Sequence, residues 1–179
     1  MTGLVAYAFP FNPQPWALGD INISRQNGKL RATPGPEKTL VAYQNAIREG
    51  LRNAGAEMHE GPYSIRFTFS RDLEQFLTPT GRTSQRNPAD ATNMQKATED
   101  ALQKILIHND VDVIHIESDR CAQGVNVDPF VVIELKYEVH EWSTRRFPDD
   151  LYPKAQEALN NMKTLAQKRA EMNTEVWRP

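Results

Sequence analysis

Residues 86–116 read RNPADATNMQKATEDALQKILIHNDVDVIHI, and this stretch decides the fold. Met94, Ala97, Ala101 and Ile105 recur at steps of three and four, the spacing of one helical face, and predict a helix over about Asn93–Leu106. Thr92 followed by Gln95 fits a capping box, with Asp90 as the competing N-cap. After His108-Asn109-Asp110 the pattern changes to Val111, Val113, Ile114 and Ile116, which predicts a strand. Asn93, Lys96, Asp100 and Lys104 form one polar stripe along the helix. Asp90 stands at the helix entrance and Asp110 beyond its exit. A helix of about fourteen residues spans roughly 21 Å. The two carboxylates therefore meet only if the following strand folds back alongside the helix.

Working outward, residues 3–9 predict a first strand and residues 10–36, rich in Pro, Gly, Asn and Arg, a long loop. Leu40, Tyr43, Ile47 and Leu51 predict a helix over 37–53 with one buried face, stopped at Gly55. Tyr63, Ile65, Phe67 and Phe69 alternate with Ser64, Arg66 and Thr68, the pattern of a half-buried strand. Leu73 to Leu77 adds a helical turn, and 78–89 is a polar, basic loop. Arg120 to Asp128 reads as a turn. Phe130 to Val139 reads as a long strand with Val131, Ile133, Leu135, Tyr137 and Val139 on one face. The short link between the last two strands predicts an antiparallel hairpin. A final helix is expected over 149–173, with Leu151, Ala155, Leu159, Met162 and Leu165 among its apolar positions. The order of elements indicates an α/β (α+β) fold, one domain with a mixed sheet packed on helices.

At 179 residues, 39% hydrophobic and 25% charged, the chain can bury a proper core. It contains no run of 18 apolar residues, and its first 16 lack the basic and apolar regions of a signal peptide. The expected setting is the cytoplasm, which Cys121 as sole cysteine suits, since it excludes a disulfide or Cys-based zinc site within one chain. The net charge of −2 hides an uneven distribution. Residues 24–96 carry eleven Lys/Arg against seven Asp/Glu, whereas 97–142 carry three against ten. That suits a protein binding phosphates with one face and metal with another, although chance variation of surface charge gives the same pattern. No Gly-rich phosphate cradle occurs, which argues against a nucleotide cofactor.

Carboxylates at both ends of a short helix, with a Lys between them, are the residue types that hold Mg²⁺ against a phosphate. Mg²⁺ takes oxygen ligands, often one or two carboxylates plus water and substrate. It polarises a phosphoryl oxygen and activates a bound water, while Lys96 balances charge on the phosphate. Each residue also has an ordinary reading. Asp90 is a helix cap, Lys96–Asp100 a solvated i,i+4 pair worth about 0.3–0.5 kcal/mol, and Asp110 and Asp112 polar strand-edge residues.

The segment resembles the RusA family of Holliday junction resolvases, common in phage and prophage genomes. The resemblance rests on Asp90, Asn93, Lys96, Asp100-Ala101-Leu102 and Asp110, in order and nearly in spacing, followed by a strand. It is clear over 86–116 and softer over 1–140, which would form the nuclease domain. Residues 141–179 would be a helical extension packed on that domain or on a dimer partner. The resemblance implies Asp90 and Asp110 as metal-binding catalytic carboxylates and Lys96 as the catalytic helix Lys. It also implies Mg²⁺ (or Mn²⁺) as cofactor, and a homodimer nicking opposed strands of branched DNA, a four-way junction. If phage encoded, the enzyme would work in the bacterial host cytoplasm.

Two positions depart from the family pattern. Thr92 stands where a second Asp is expected, and Asn109 replaces the first Asp of a pair. A Thr hydroxyl is neutral, so one negative charge is missing. Asp112, Asn93 or Glu99 could compensate as a ligand, and Asp112 is preferred because two residues along a strand from Asp110 share a side. The alternative is a junction-binding or protein-interaction module with weakened or lost catalysis. For the DNA backbone the candidates are Arg25, Lys29 and Arg31 on the first long loop, Arg82 and Arg86 before the site, and Asn93. Phe11 and Trp16 either stack on unpaired bases or pack in the core. His115 and His140 could face each other across the expected hairpin.

Overall fold

The computed structural model describes residues 2–16, 38–73 and 90–147, the backbone of 18–26 and 29–36, and positions 157, 160 and 161, which are helical. Among the residues up to 147 that the structure describes, six strands and two α-helices follow in the order β1 (Gly3–Phe9), β2 (Leu18–Gln26), β3 (Lys29–Pro36), α1 (Lys38–Asn53), β4 (Tyr63–Asp72), α2 (Ala91–Leu102), β5 (Val113–Gly124) and β6 (Phe130–Tyr137). Four strands form a mixed sheet in the order β1-β6-β4-β5, while β2 and β3 form a separate two-stranded sheet. The mixed sheet with its helices is the α/β domain expected.

Alternation within the strands builds the inner layer. Val5, Leu135, Ile65 and Ile116 lie in one cross-strand row, and Tyr7, Ile133 and Phe67 in the next. Against these rows pack Leu40, Tyr43, Ile47 and Leu51 of α1, as their spacing required, with Met94, Ala97, Ala101 and Leu102 of α2. Each large side chain buried this way contributes about 1.5–3 kcal/mol. Gly55 ends α1 at φ +69°, its N–H bonding to Arg52 O while Ala56 N–H bonds to Leu51 O, both at 3.0 Å. This pair of bonds is the Schellman closure, which favours glycine at the left-handed position.

The sequence reading needs correction at several points. β4 is not half-buried: it lies between β5 and β6, and Tyr63 to Arg71 are all buried. Its polar alternates form an outer row in which Arg66 lies opposite Glu134 and Glu117. The Trp142–Phe147 segment covers that row. The Phe147 ring sits under Arg66 and Lys136 at 5.2 and 4.6 Å, and its N–H reaches Glu117 at 3.4 Å.

β5 and β6 do not form a hairpin. β4 runs between them, parallel to β5 and antiparallel to β6. His115 therefore does not face His140; its ring bonds Glu117 at 2.8 Å. β5 also continues to Gly124, through half of the expected turn. Residues 10–36 are not one loop but include the β2–β3 hairpin, with Gln26 opposite Lys29. Asn27-Gly28 between them is the strongest short hairpin signal a sequence carries. Phe11 takes the packing role, stacked on Phe9 at 5.5 Å. The expected turn over 73–77 lies outside the described residues beyond Leu73, as do the 78–89 loop and most of 149–173.

Candidate active site

The N-cap of α2 is Asp90, not Thr92. Its Oδ1 accepts the Asn93 N–H at 2.7 Å and its Oδ2 the Asn93 side-chain amide at 2.9 Å. Asp90 satisfies an otherwise orphan N–H at the positive end of the helix dipole. Thr92 is then an exposed residue of the first turn. The preceding Pro-rich segment is tied here too. Trp16 N–H bonds to Asn93 O at 2.9 Å, and Asn12 exchanges bonds with the Asp72 backbone at 3.0 and 3.2 Å. The β2–β3 hairpin follows directly, so the backbone carrying Arg25, Lys29 and Arg31 leaves from the entrance of α2. Arg82 and Arg86 lie outside the described residues.

α2 ends at Leu102, four residues earlier than its apolar spacing suggested, because the chain turns back at once. Leu106 N–H and Ile107 N–H both bond to Leu102 O, at 2.9 and 3.3 Å. Lys104 adopts φ +63° in this turn. The reversal is stitched to the neighbouring loop. His59 N–H bonds to Leu106 O at 3.0 Å, and the Tyr63 hydroxyl accepts from His108 N–H at 3.2 Å while donating to His59 O. Asp110 to Asp112 then form a single 3-10 turn before β5 runs back beside α2, where Ser118 donates to Gln95 Oε1 at 2.6 Å.

The strand thus does fold back along the helix, and it begins at the helix's second half. Asp110, Gln95 and Glu99 line one cleft of about 320 Å³ with Val113 to Ile116. Burial pushes the Glu99 carboxyl above its usual range, Lys96 draws it down, and Asp110 and Asp100 push it up again. Lys96 donates to Asp100 Oδ1 at 3.1 Å; that bond holds the ammonium above its ordinary pKa, with Glu99 and Asp110 adding to the effect. The structure therefore brings Lys96, Glu99 and Asp110 together. It leaves Asp90 nine residues before Glu99, roughly 13 Å along the helix.

Asp112 does not share a side with Asp110. In a tight turn, residues two apart diverge, and the Asp112 Cβ lies where a Cβ on Gly61 would meet it at 3.1 Å. Glu99 is the carboxylate that faces Asp110. Its signal in the sequence is the spacing of four from Gln95, a second polar stripe beside the one through Lys96. Among the described residues, no three His, Cys, Asp or Glu side chains form a ready metal cage. Two carboxylates beside a Lys nevertheless fit the sparse protein ligation Mg²⁺ accepts when phosphate and water complete its shell.

A family model described as endodeoxyribonuclease RusA matches residues 14–136, from the Pro-rich segment to the end of β6. The chain belongs to the RusA family. The match includes α2, its cap, the Asp110 turn and the β2–β3 hairpin, and stops before the Trp142–Phe147 segment. RusA membership carries an endodeoxyribonuclease function acting on DNA junctions. No curated protein matches the chain significantly. Among the described residues, no helix is long and apolar enough to cross a membrane.

Proposed function

We propose that this RusA-family chain is a Mg²⁺- or Mn²⁺-dependent endonuclease that hydrolyses phosphodiester bonds in Holliday junctions and other branched DNA as a homodimer. The observation that carries the reading is the cleft in which Asp110 and Glu99 share space beside Lys96, inside the stretch matched to the family. Asp110 and Glu99 supply carboxylate oxygens for one divalent ion, with Glu99 standing in for the charge missing at Thr92. When bound, the ion polarises a phosphoryl oxygen and acidifies a water. Lys96, steadied by Asp100, balances charge on the scissile phosphate. Gln95, fixed by Ser118, lines the same wall. Asp90, the further carboxylate that the resemblance implies, caps the helix entrance roughly 13 Å along the helix from Glu99 and acts on the DNA there rather than in the cleft. Arg25, Lys29, Arg31, Arg82, Arg86 and Asn93 contact the backbone without reading sequence.

A second reading is a junction-binding module with weakened catalysis. The exposed, neutral Thr92 and the lack of a three-carboxylate cage among the described residues favour it. Incubating the protein with a labelled four-way junction under Mg²⁺, Mn²⁺ or EDTA separates the two. The enzyme reading expects metal-dependent nicking, lost in Asp110→Asn and Glu99→Gln and retained in Asp112→Asn. Binding without cleavage under every metal selects the second reading. Cleavage that survives both Asp110→Asn and Glu99→Gln rejects the ligand assignment.

A further inference from the structure

On the other side of α2 from the Asp110 cleft lies a second groove, of about 360 Å³, lined by Arg48, Arg52, Asp100, Gln103, Lys104 and Ile105. Three cations line it, two from α1 and one from the turn after α2. Arg48 and Arg52 are four residues apart on α1 and so share a face. Arg48 is anchored, its Nη1 bonding Asn45 Oδ1 at 3.2 Å and its Nη2 bonding Asp100 O at 3.3 Å. A guanidinium has five N–H donors, so several remain. Arg52 and Lys104 are exposed, and among the described residues neither makes an ion pair. The one carboxylate in the groove, on Asp100, is already engaged by Lys96. The groove is therefore net positive.

Lys104 gives an independent indication. It is held at φ +63° by the turn in which its N–H bonds Ile107 O at 2.7 Å. That region is costly for a residue with a Cβ, and glycine or asparagine fits it better. A long cation sits there instead, beside the groove.

We propose that this groove seats a DNA backbone phosphate flanking the scissile one, so that α2 is straddled by duplex, with the reacting phosphate on its Lys96–Glu99 side and a neighbouring one at Arg48, Arg52 and Lys104. The proposal rests on the nuclease reading above and adds a binding surface to it. A competing local explanation exists, since basic residues near helix C-termini also complement the helix dipole. Arg52 is in the last turn of α1 and Lys104 just beyond α2.

The two explanations separate in one experiment. Binding of a labelled four-way junction and of a plain duplex is measured in EDTA across a salt series, for wild type, Arg52→Gln, Lys104→Gly and the double variant, with thermal melts alongside. Each single variant is expected to weaken both DNAs by about tenfold. Each should lower the slope of log K against log salt by about one unit, and the double variant by about two. Lys104→Gly should melt no lower than wild type, because glycine relieves the left-handed strain. If wild type binds DNA while the variants keep its affinity and slope, the groove is not a phosphate site, whatever their melts show. If wild type binds neither DNA at any salt, the nuclease reading itself fails.

Discussion

The outer face of the sheet carries the interaction whose removal should be felt most. Arg66 Nε and Glu134 Oε2 are 2.6 Å apart, with side chains 4% and 0% exposed. Replacing Glu134 by Leu conserves much of the volume and removes the charge that faces the buried Arg66 guanidinium. Breaking a buried pair from one side costs about 3–5 kcal/mol. Glu117, opposite Arg66 on β5, is a nearby carboxylate, but His115 and the Phe147 N–H already engage it. It should soften the loss toward the lower figure without cancelling it. For a chain of this length each kcal/mol moves the melting midpoint by about 2–4 °C, so Glu134→Leu should melt about 6–20 °C below wild type. The Arg66→Met/Glu134→Leu double variant removes both charges of the pair and should recover most of that deficit. The assay is a thermal melt followed by circular dichroism, repeated in urea. A single variant melting within about 2 °C of wild type, or a double variant no better than the single, refutes the reasoning.

The two roles of Asp90 can be separated. Asp90→Asn keeps an N-cap and should hold stability while reducing cleavage, whereas Asp90→Ala should also lose about 0.5–2 kcal/mol in a urea titration. Tyr43 must donate to Thr98 at 2.8 Å, because the Thr98 hydroxyl spends its own proton on Met94 O at 2.8 Å; Tyr43→Phe should therefore cost about 0.5–1.5 kcal/mol by the same titration. The His59 ring stacks on Tyr137 at 4.0 Å, and burial lowers its pKa against a smaller upward pull from Glu57. Its contribution to stability is then fully present above the ordinary histidine value of about 6.5 and is lost as pH falls toward the folded value. Urea midpoints between pH 5 and 7.5 should slope upward with pH for wild type and more gently for His59→Gln.

Much of this fold could be read from side-chain period. α1, α2 and the strands at 3–9, 63–69 and 130–137 follow from apolar spacing, because one face of each meets the same inner layer. Pairing was harder to read. A short link between strands favours a hairpin locally, yet β4 inserts between β5 and β6, where both its edges are paired and Arg66 meets Glu134. The polar alternation of β4 looked like a solvent face since sequence does not distinguish a wet Arg from a paired one. At the site, the candidates on α2 were visible as a stripe. Which of them faces Asp110 depends on where the chain turns, and that was set by backbone bonds to Leu102 O, which carry no side-chain signature. Arg48 and Arg52 carry no site signal in the sequence because they sit on another helix, and only the packing of α1 on α2 brings them beside Lys104.

The double burial of β4 has a consequence for accuracy as well as for stability. A slip of one residue would turn Phe67 and Phe69 toward the charged layer and drive Arg66 into the aliphatic one, so no neighbouring alignment is tolerable. β5 takes its alignment from β4, with single-residue bulges at Ile114 and Cys121, and the Asp110 turn comes just before the first of them. The spacing between Asp110 and the Glu99 side of α2 is thus gauged by a strand that lines neither side of the cleft. Sequence drift in the cleft can change its chemistry without altering the ruler against which the cleft is set.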